Sequence, residues 1–225
     1  MIIIVIPHAG GASMAYFNLK QKIEKEHKWC FFEYKGHGTR AQEPLYVSWS
    51  EIVEELYVFV KNSIDNQQAY VLLGNSMGAY LLQELYEKLK INKLMLPIHA
   101  IYTACNPYFE LENLSVSYIE DNSDSIERIK TLKFYKDYLR PILENDIILL
   151  KQVNRKAIFK RKLHCNITVI YGRNDDLITS EYKFDWNKVT SKVCNVKYLE
   201  GGHLLLCEKA NISEDLQKIL KNYIK

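Results

Sequence analysis

Six short runs of apolar residues, mostly β-branched or aromatic, recur along the chain at Ile2–Ile6, 29–34, 69–73, His99–Thr103, 166–171 and 193–198. Runs of this length and composition form strands. Between them lie longer stretches with helical spacing of apolar residues, at 14–26, Trp49–Ser63, 77–89, 179–189 and 212–223. Strands alternating with helices predict an α/β fold, a mainly parallel sheet covered by helices on both faces. At 225 residues, 48% of them hydrophobic, the chain is long enough to bury such a sheet in a single domain, 1–225.

One interval breaks the alternation. From Asn106 to about Lys162 no buried strand is evident, only polar helix-like segments at 123–135 and 141–159. This interval is expected to be a helical insertion over one edge of the sheet, and inserted helices near strand ends are candidate lids.

Charge and cysteine content exclude several classes. A net charge of +3 is too small for a nucleic-acid binder, and no reading module is visible. The five cysteines (30, 105, 165, 194 and 207) form no pair or cluster with zinc spacing, so no metal site is expected and most should be reduced core residues. Ile2–Ile6 is too short to span a bilayer and lacks the flanks of a signal peptide, which leads to the expectation of a cytoplasmic protein without a membrane partner. Nothing in the pattern calls for an obligate oligomer, and a monomer is expected.

The apolar run 69–73 feeds directly into Gly74-Asn75-Ser76-Met77-Gly78 and then a helix. G-x-S-x-G between a strand and a helix is the nucleophile elbow of the α/β-hydrolase fold. The turn holds its serine in a strained conformation that crowds the residues two before and two after, so both are glycine. It also leaves the Met77 amide at a helix start, aimed at a developing oxyanion. Such a serine needs a base and an orienting carboxylate, in the chain order Ser, Asp, His. The strand at 166–171 leads into Gly172-Arg173-Asn174-Asp175-Asp176, and that at 193–198 into Glu200-Gly201-Gly202-His203. Asp175 is the candidate acid, with Asp176 as the alternative, and His203 the candidate base. The second oxyanion donor should come from the loop 7–11 after the first strand, with the Ala9 amide nominated and Gly10 as the alternative. His8, beside that loop, is read as structural.

Taken together, PHAGG (7–11), GHGTR (36–40), GNSMG (74–78), LRPIL (139–143) before Asp146, GRNDD (172–176) and GGHLLL (201–206) resemble type II thioesterases. These are the stand-alone editing hydrolases of nonribosomal peptide and polyketide synthetases. The resemblance spans essentially the whole chain. It implies a lidded α/β-hydrolase that cleaves acyl or aminoacyl thioesters from the phosphopantetheine arm of partner carrier proteins, with no cofactor of its own, and supports Ser76, Asp175 and His203 as the triad. Two positions depart from the pattern: Asn75 replaces the histidine commonest before the nucleophile, and Lys35 stands where proline is usual before Gly36. A carboxylesterase or lipase acting on free esters, and a non-catalytic binding protein on a hydrolase scaffold, are the rival readings. The basic run 155–162 closes the inserted segment, and the resemblance makes Lys156, Lys160 and Lys162 candidate contacts for an acidic carrier protein, against a plain reading as a solvated helix face.

Overall fold

The computed structural model describes residues 1–23, 27–64, 68–107, 111–178, 184–207, 214, 218 and 221–222. Six strands, β1 (Ile2–Ile6), β2 (Lys28–Phe31), β3 (Tyr70–Asn75), β4 (His99–Thr103), β5 (Asn166–Gly172) and β6 (Cys194–Leu199), form one sheet in the order β2-β1-β3-β4-β5-β6. Every pairing is parallel. The pleat explains why β1, and β3 from Tyr70 to Leu73, are apolar at successive positions. Ile2, Ile4, Ile6, Tyr70 and Leu72 pack into one core, while Ile3, Val5, Val71 and Leu73 pack into the core on the opposite face. The edge strand β6 is partly exposed, as an outermost strand should be.

The first core is covered by α2 (Trp49–Ser63) and α3 (Met77–Ile91). Ser48 starts α2 by accepting the Glu51 amide at 3.2 Å, and the helix then buries Ile52, Val53, Leu56 and Val60 at helical spacing. Tyr16, Leu19 and Ile23, with Leu205 and Leu206, cover the other face. The helix expected at 14–26 is divided into a 3-10 turn, Ser13–Tyr16, and α1 (Phe17–Lys22). The strand expected at 29–34 ends at Phe31, because beyond Phe32, whose amide still reaches the Val5 carbonyl, the chain turns so that Tyr34 donates to the Pro7 carbonyl. Of the stretch 179–189 only 184–189 is described, and it holds a single 3-10 turn at Trp186–Lys188. Most of 212–223 lies outside the described residues.

Between β4 and β5 the described chain is helical: α4 (Val116–Asn122), α5 (Asp124–Glu127), a π-helical turn Tyr135–Leu139 running into α6 (Arg140–Leu150), and α7 (Arg155–Ile158). The helices expected at 123–135 and 141–159 are therefore shorter and more broken. The second is interrupted at Asn154, whose side chain accepts the Ala157 amide at 3.1 Å and restarts the helix as α7. Ile119, Leu143, Ile147, Leu150 and Phe159 join the first core, seating this segment on the α2/α3 face. Among the described residues no helix is long and apolar enough to cross a membrane.

Candidate active site

Ser76 caps β3 with φ 51°, ψ −113°, a conformation rare for a residue with a side chain. The crowding around it is measurable. A Cβ on Gly74 would lie 2.5 Å from the Gly78 carbonyl oxygen, and one on Gly78 would lie 2.1 Å from that of Ile6. The elbow is also pinned from the neighbouring strand, since the Ser76 amide donates to the Thr103 carbonyl at 2.9 Å.

His203 reaches this serine from beyond β6. Its Nε2 is 2.9 Å from Ser76 Oγ, and its Nδ1 is 3.0 and 3.1 Å from the two carboxylate oxygens of Asp175. The loops meet because both carry glycine: a Cβ on Gly172 would be 2.4 Å from the Gly201 carbonyl oxygen, and Gly201 itself adopts φ 130°. Asp175 has a fully buried carboxylate whose Oδ1 also accepts the Leu177 and Ile178 amides, both at 3.1 Å. These bonds aim the acid and satisfy its charge. Asp176, its neighbour, is exposed. The structure thus brings Ser76, His203 and Asp175 into one hydrogen-bonded chain and leaves Asp176 outside it.

The loop after β1 lies beside the serine. Its amides are differently engaged: that of His8 donates to Tyr16 Oη at 3.2 Å, that of Gly10 to Asp146 Oδ2 at 2.7 Å and that of Gly11 to the His8 carbonyl at 3.0 Å. Among the described residues the Ala9 amide has no acceptor, whereas the alternative donor, Gly10, is already committed. Across from it, the Met77 amide sits in the first turn of α3, where helix geometry leaves amides without partners.

His8 is held away from the reacting chain. Tyr16 Oη donates to its Nδ1 at 2.8 Å, and its ring covers Gly11, where any Cβ would come within 2.7 Å of it. Removal from bulk water, reinforced by the nearby His203 and His37, lowers its pKa to about 3, so it is a neutral ring. Asn75, the departure before the nucleophile, is fully buried and satisfied: it donates to Tyr16 Oη and accepts from Thr103 Oγ1, each at 3.0 Å. It ties the elbow to the same tyrosine that holds His8. The other departure, Lys35, bonds Glu51 Oε1 at 2.6 Å and lies 5.0 Å over the Tyr46 ring.

Ser76 and His203 open onto a cavity of about 230 Å³ beneath the β4–β5 helices. Leu114, Ile119, Ile126, Leu143 and Ile147 line much of it, and among the described residues no Asp, Glu, Lys or Arg lines it. At the far end of the same segment, α7 is anchored by Gln83, which donates to the carbonyls of Ile158 at 3.2 Å and Arg161 at 2.8 Å. Lys160 and Lys162 project from there into solvent, while Lys156 lies on α7. Among the described residues no group of three or more His, Cys, Asp or Glu side chains is placed to hold a metal ion.

With this geometry, a match to the thioesterase domain model over residues 1–223 decides the family. The chain belongs to the thioesterase family. It is 23% identical to "Linear gramicidin dehydrogenase LgrE" of Brevibacillus parabrevis, across 96% of this chain and 86% of that one. It is 25% identical to "S-acyl fatty acid synthase thioesterase, medium chain" of Rattus norvegicus, across 99% and 86%. The solved structure of ClbQ from the colibactin NRPS/PKS pathway superimposes with a TM-score of 0.80 at 19% identity, covering 99% of this chain and 98% of that one. The six-stranded parallel sheet is that of an α/β-hydrolase, as the elbow implied.

Proposed function

We propose that this thioesterase is of the type II, editing kind, removing acyl groups from the phosphopantetheine arm of carrier proteins, with Ser76 as nucleophile, His203 as base and Asp175 as its orienting acid. The observation that carries the reading is the hydrogen-bonded chain Ser76–His203–Asp175 at the opening of an apolar cavity. His203 Nε2 takes the Ser76 proton as Oγ attacks the thioester carbonyl; Asp175, on Nδ1, holds the tautomer and stabilises the imidazolium. The Ala9 and Met77 amides receive the oxyanion, a donor being worth roughly 3–4 kcal/mol. The tetrahedral intermediate collapses, the C–S bond breaks and the arm's thiol leaves with the proton from His203. Water, deprotonated by the same histidine, then attacks the acyl-serine and restores Ser76. Every step uses the chain's own groups and water.

The domain reads as one unit, 1–225, in which the β4–β5 helices are a lid over the acyl cavity. An α-ammonium placed among leucines and isoleucines would be desolvated with no carboxylate among the described lining residues to meet it, which favours plain acyl groups over charged aminoacyl ones. The partner is an acidic carrier protein, met by the basic margin at Lys156, Lys160 and Lys162, and the enzyme works as a cytoplasmic monomer. The test compares kcat/KM for a hexanoyl carrier protein, the same carrier bearing an aminoacyl group, and a free hexanoate ester. The order should be hexanoyl carrier, aminoacyl carrier, ester. An ester turned over fastest would make the chain a carboxylesterase.

A further inference from the structure

The two histidine-bearing loops beside the site meet at a carboxylate from the helical segment above it. Asp146, on α6, is 109 residues from His37, yet its Oδ2 lies 3.0 Å from His37 Nε2 and 2.7 Å from the Gly10 amide nitrogen. Both side chains are about 1% exposed. The other nitrogen of His37, Nδ1, is 2.9 Å from the Lys35 carbonyl oxygen. A carbonyl oxygen can only accept, and so can an ionised carboxylate, so the two ring nitrogens of His37 both face acceptors, an arrangement that favours the imidazolium. Burial by itself opposes that charge, but the bond to Asp146 and its charge, then the Lys35 carbonyl and the charge of Glu33, outweigh it and raise the His37 pKa.

One carboxylate oxygen therefore joins three segments: the loop after β1, the loop after β2, and α6. Further contacts run the same way. Tyr138, in the turn leading into α6, donates to the Gly36 carbonyl at 3.3 Å, and Asn145 donates to that of Tyr46 at 3.3 Å. Leu143 and Leu139 close over Gly10, where a Cβ would stand 3.4 and 3.6 Å from their methyl groups, and Gly10 takes φ 70°. The residue just before this anchored glycine is Ala9, whose amide has no acceptor among the described residues and which lines the cavity with Ser76.

We propose that Asp146, paired with His37, is a positioning residue: by holding the Gly10 amide it fixes the loop 7–11 with the Ala9 amide turned to the oxyanion, and it does so only while α6 is seated over the cavity. Seating of the lid and readiness of the oxyanion hole thereby become one event. The inference rests on the hydrolase reading above, since it needs Ser76 to generate an oxyanion. It differs from a purely structural role in what should change: Asp146 touches no substrate, so its loss should lower the chemical rate and leave ground-state binding alone.

The test uses Asp146→Asn, which keeps the shape and removes the charge, and His37→Gln/Asp146→Asn, which swaps the ion pair for two amides and is the better folder if a lone buried imidazolium proves too costly. Two rates are read on each folded variant: steady-state hydrolysis of a hexanoyl N-acetylcysteamine thioester, and labelling by an alkyl fluorophosphonate. In the labelling Ser76 Oγ bonds phosphorus, fluoride leaves, the serine proton passes to His203, and the phosphonyl oxygen takes the oxyanion's place. Removing an oxyanion donor outright costs roughly 10²–10³ in rate, and a misaimed donor should cost roughly 10–10², in kcat and in the maximal labelling rate alike, with KM and the probe's half-saturation within about twofold. Parent-like rates in either folded variant, or a loss confined to KM, would overturn the proposal. If the parent ignores the thioester but is labelled at Ser76, the substrate reading fails while the labelling rates still decide the role of Asp146. A parent that is not labelled removes the oxyanion and the proposal with it.

Discussion

Ser76 sits at φ 51° between two glycines whose α-hydrogens face backbone oxygens, and no other residue type could stand at 74 or 78 without moving β1 or α3. Here the sequence is most explicit, because a steric requirement writes itself as a fixed spacing. Asp175 was legible for a related reason: it stands three residues past the glycine that ends β5, where the tight crossing over Gly201 brings the loop to His203. Its neighbour makes a sharp control. Asp175→Asn should cost roughly 10³–10⁴ in kcat, as when a base loses its orienting carboxylate, while Asp176→Asn, exposed and outside the hydrogen-bonded chain, should stay near the parent. Steady-state kinetics of the two variants side by side decides it, and the opposite ranking would move the role to Asp176. The partnership of His37 and Asp146 was not legible from the residues. Each stood only inside a resembling motif, and nothing local to either announces a bond across 109 residues.

Elements tell a similar story of local against distant causes. The central strands were readable because they are buried on both faces and so mostly apolar, and α2 because its cap and apolar stripe lie in its own sequence. The β4–β5 segment was legible as helical but not in its divisions, since these depend on Asn154 capping a new helix and on a π-helical turn before α6. The margin of this segment carries a prediction about the partner. Replacing Lys156, Lys160 and Lys162 with glutamate should raise apparent KM for an acyl carrier protein and leave kcat on a small acyl thioester unchanged, because rim charges act on encounter. Added salt should reproduce the split in the parent. A triple variant indistinguishable from the parent at low salt on both substrates would leave the cluster as a solvated face.

The whole molecule adds a pH dependence that no single element shows. His99, on β4, is 2% exposed and bonded to Thr168 Oγ1 at 3.0 Å, and burial lowers its pKa to about 4; His8 is lowered to about 3. In the unfolded chain both would titrate near 6.5, so between that value and about 4 the unfolded state binds more protons and stability must fall as pH is lowered through this window. His99 alone should cost about 3 kcal/mol by pH 4. His37 has the opposite sign: its pKa is raised, so its contribution is complete at low pH and is lost as pH rises through its folded value. Urea titrations at pH 6.5 and 4.5 should show the acid loss, reduced in His99→Gln; an equal slope in that variant would place the cause elsewhere.

On the proposed mechanism Ser76 accepts an acyl group from a carrier-bound thioester and passes it to water. Intact-protein mass spectrometry of a hexanoylated carrier protein, incubated with the parent or with Ser76→Ala, tests it most directly. The parent should convert the acyl carrier to its free-thiol form with release of hexanoate, while Ser76→Ala, with its melting temperature close to the parent's because only a hydroxyl at a turn is lost, should leave the acyl mass in place. A folded Ser76→Ala protein that strips the acyl group at more than about a hundredth of the parent rate would rule out Ser76 as the nucleophile.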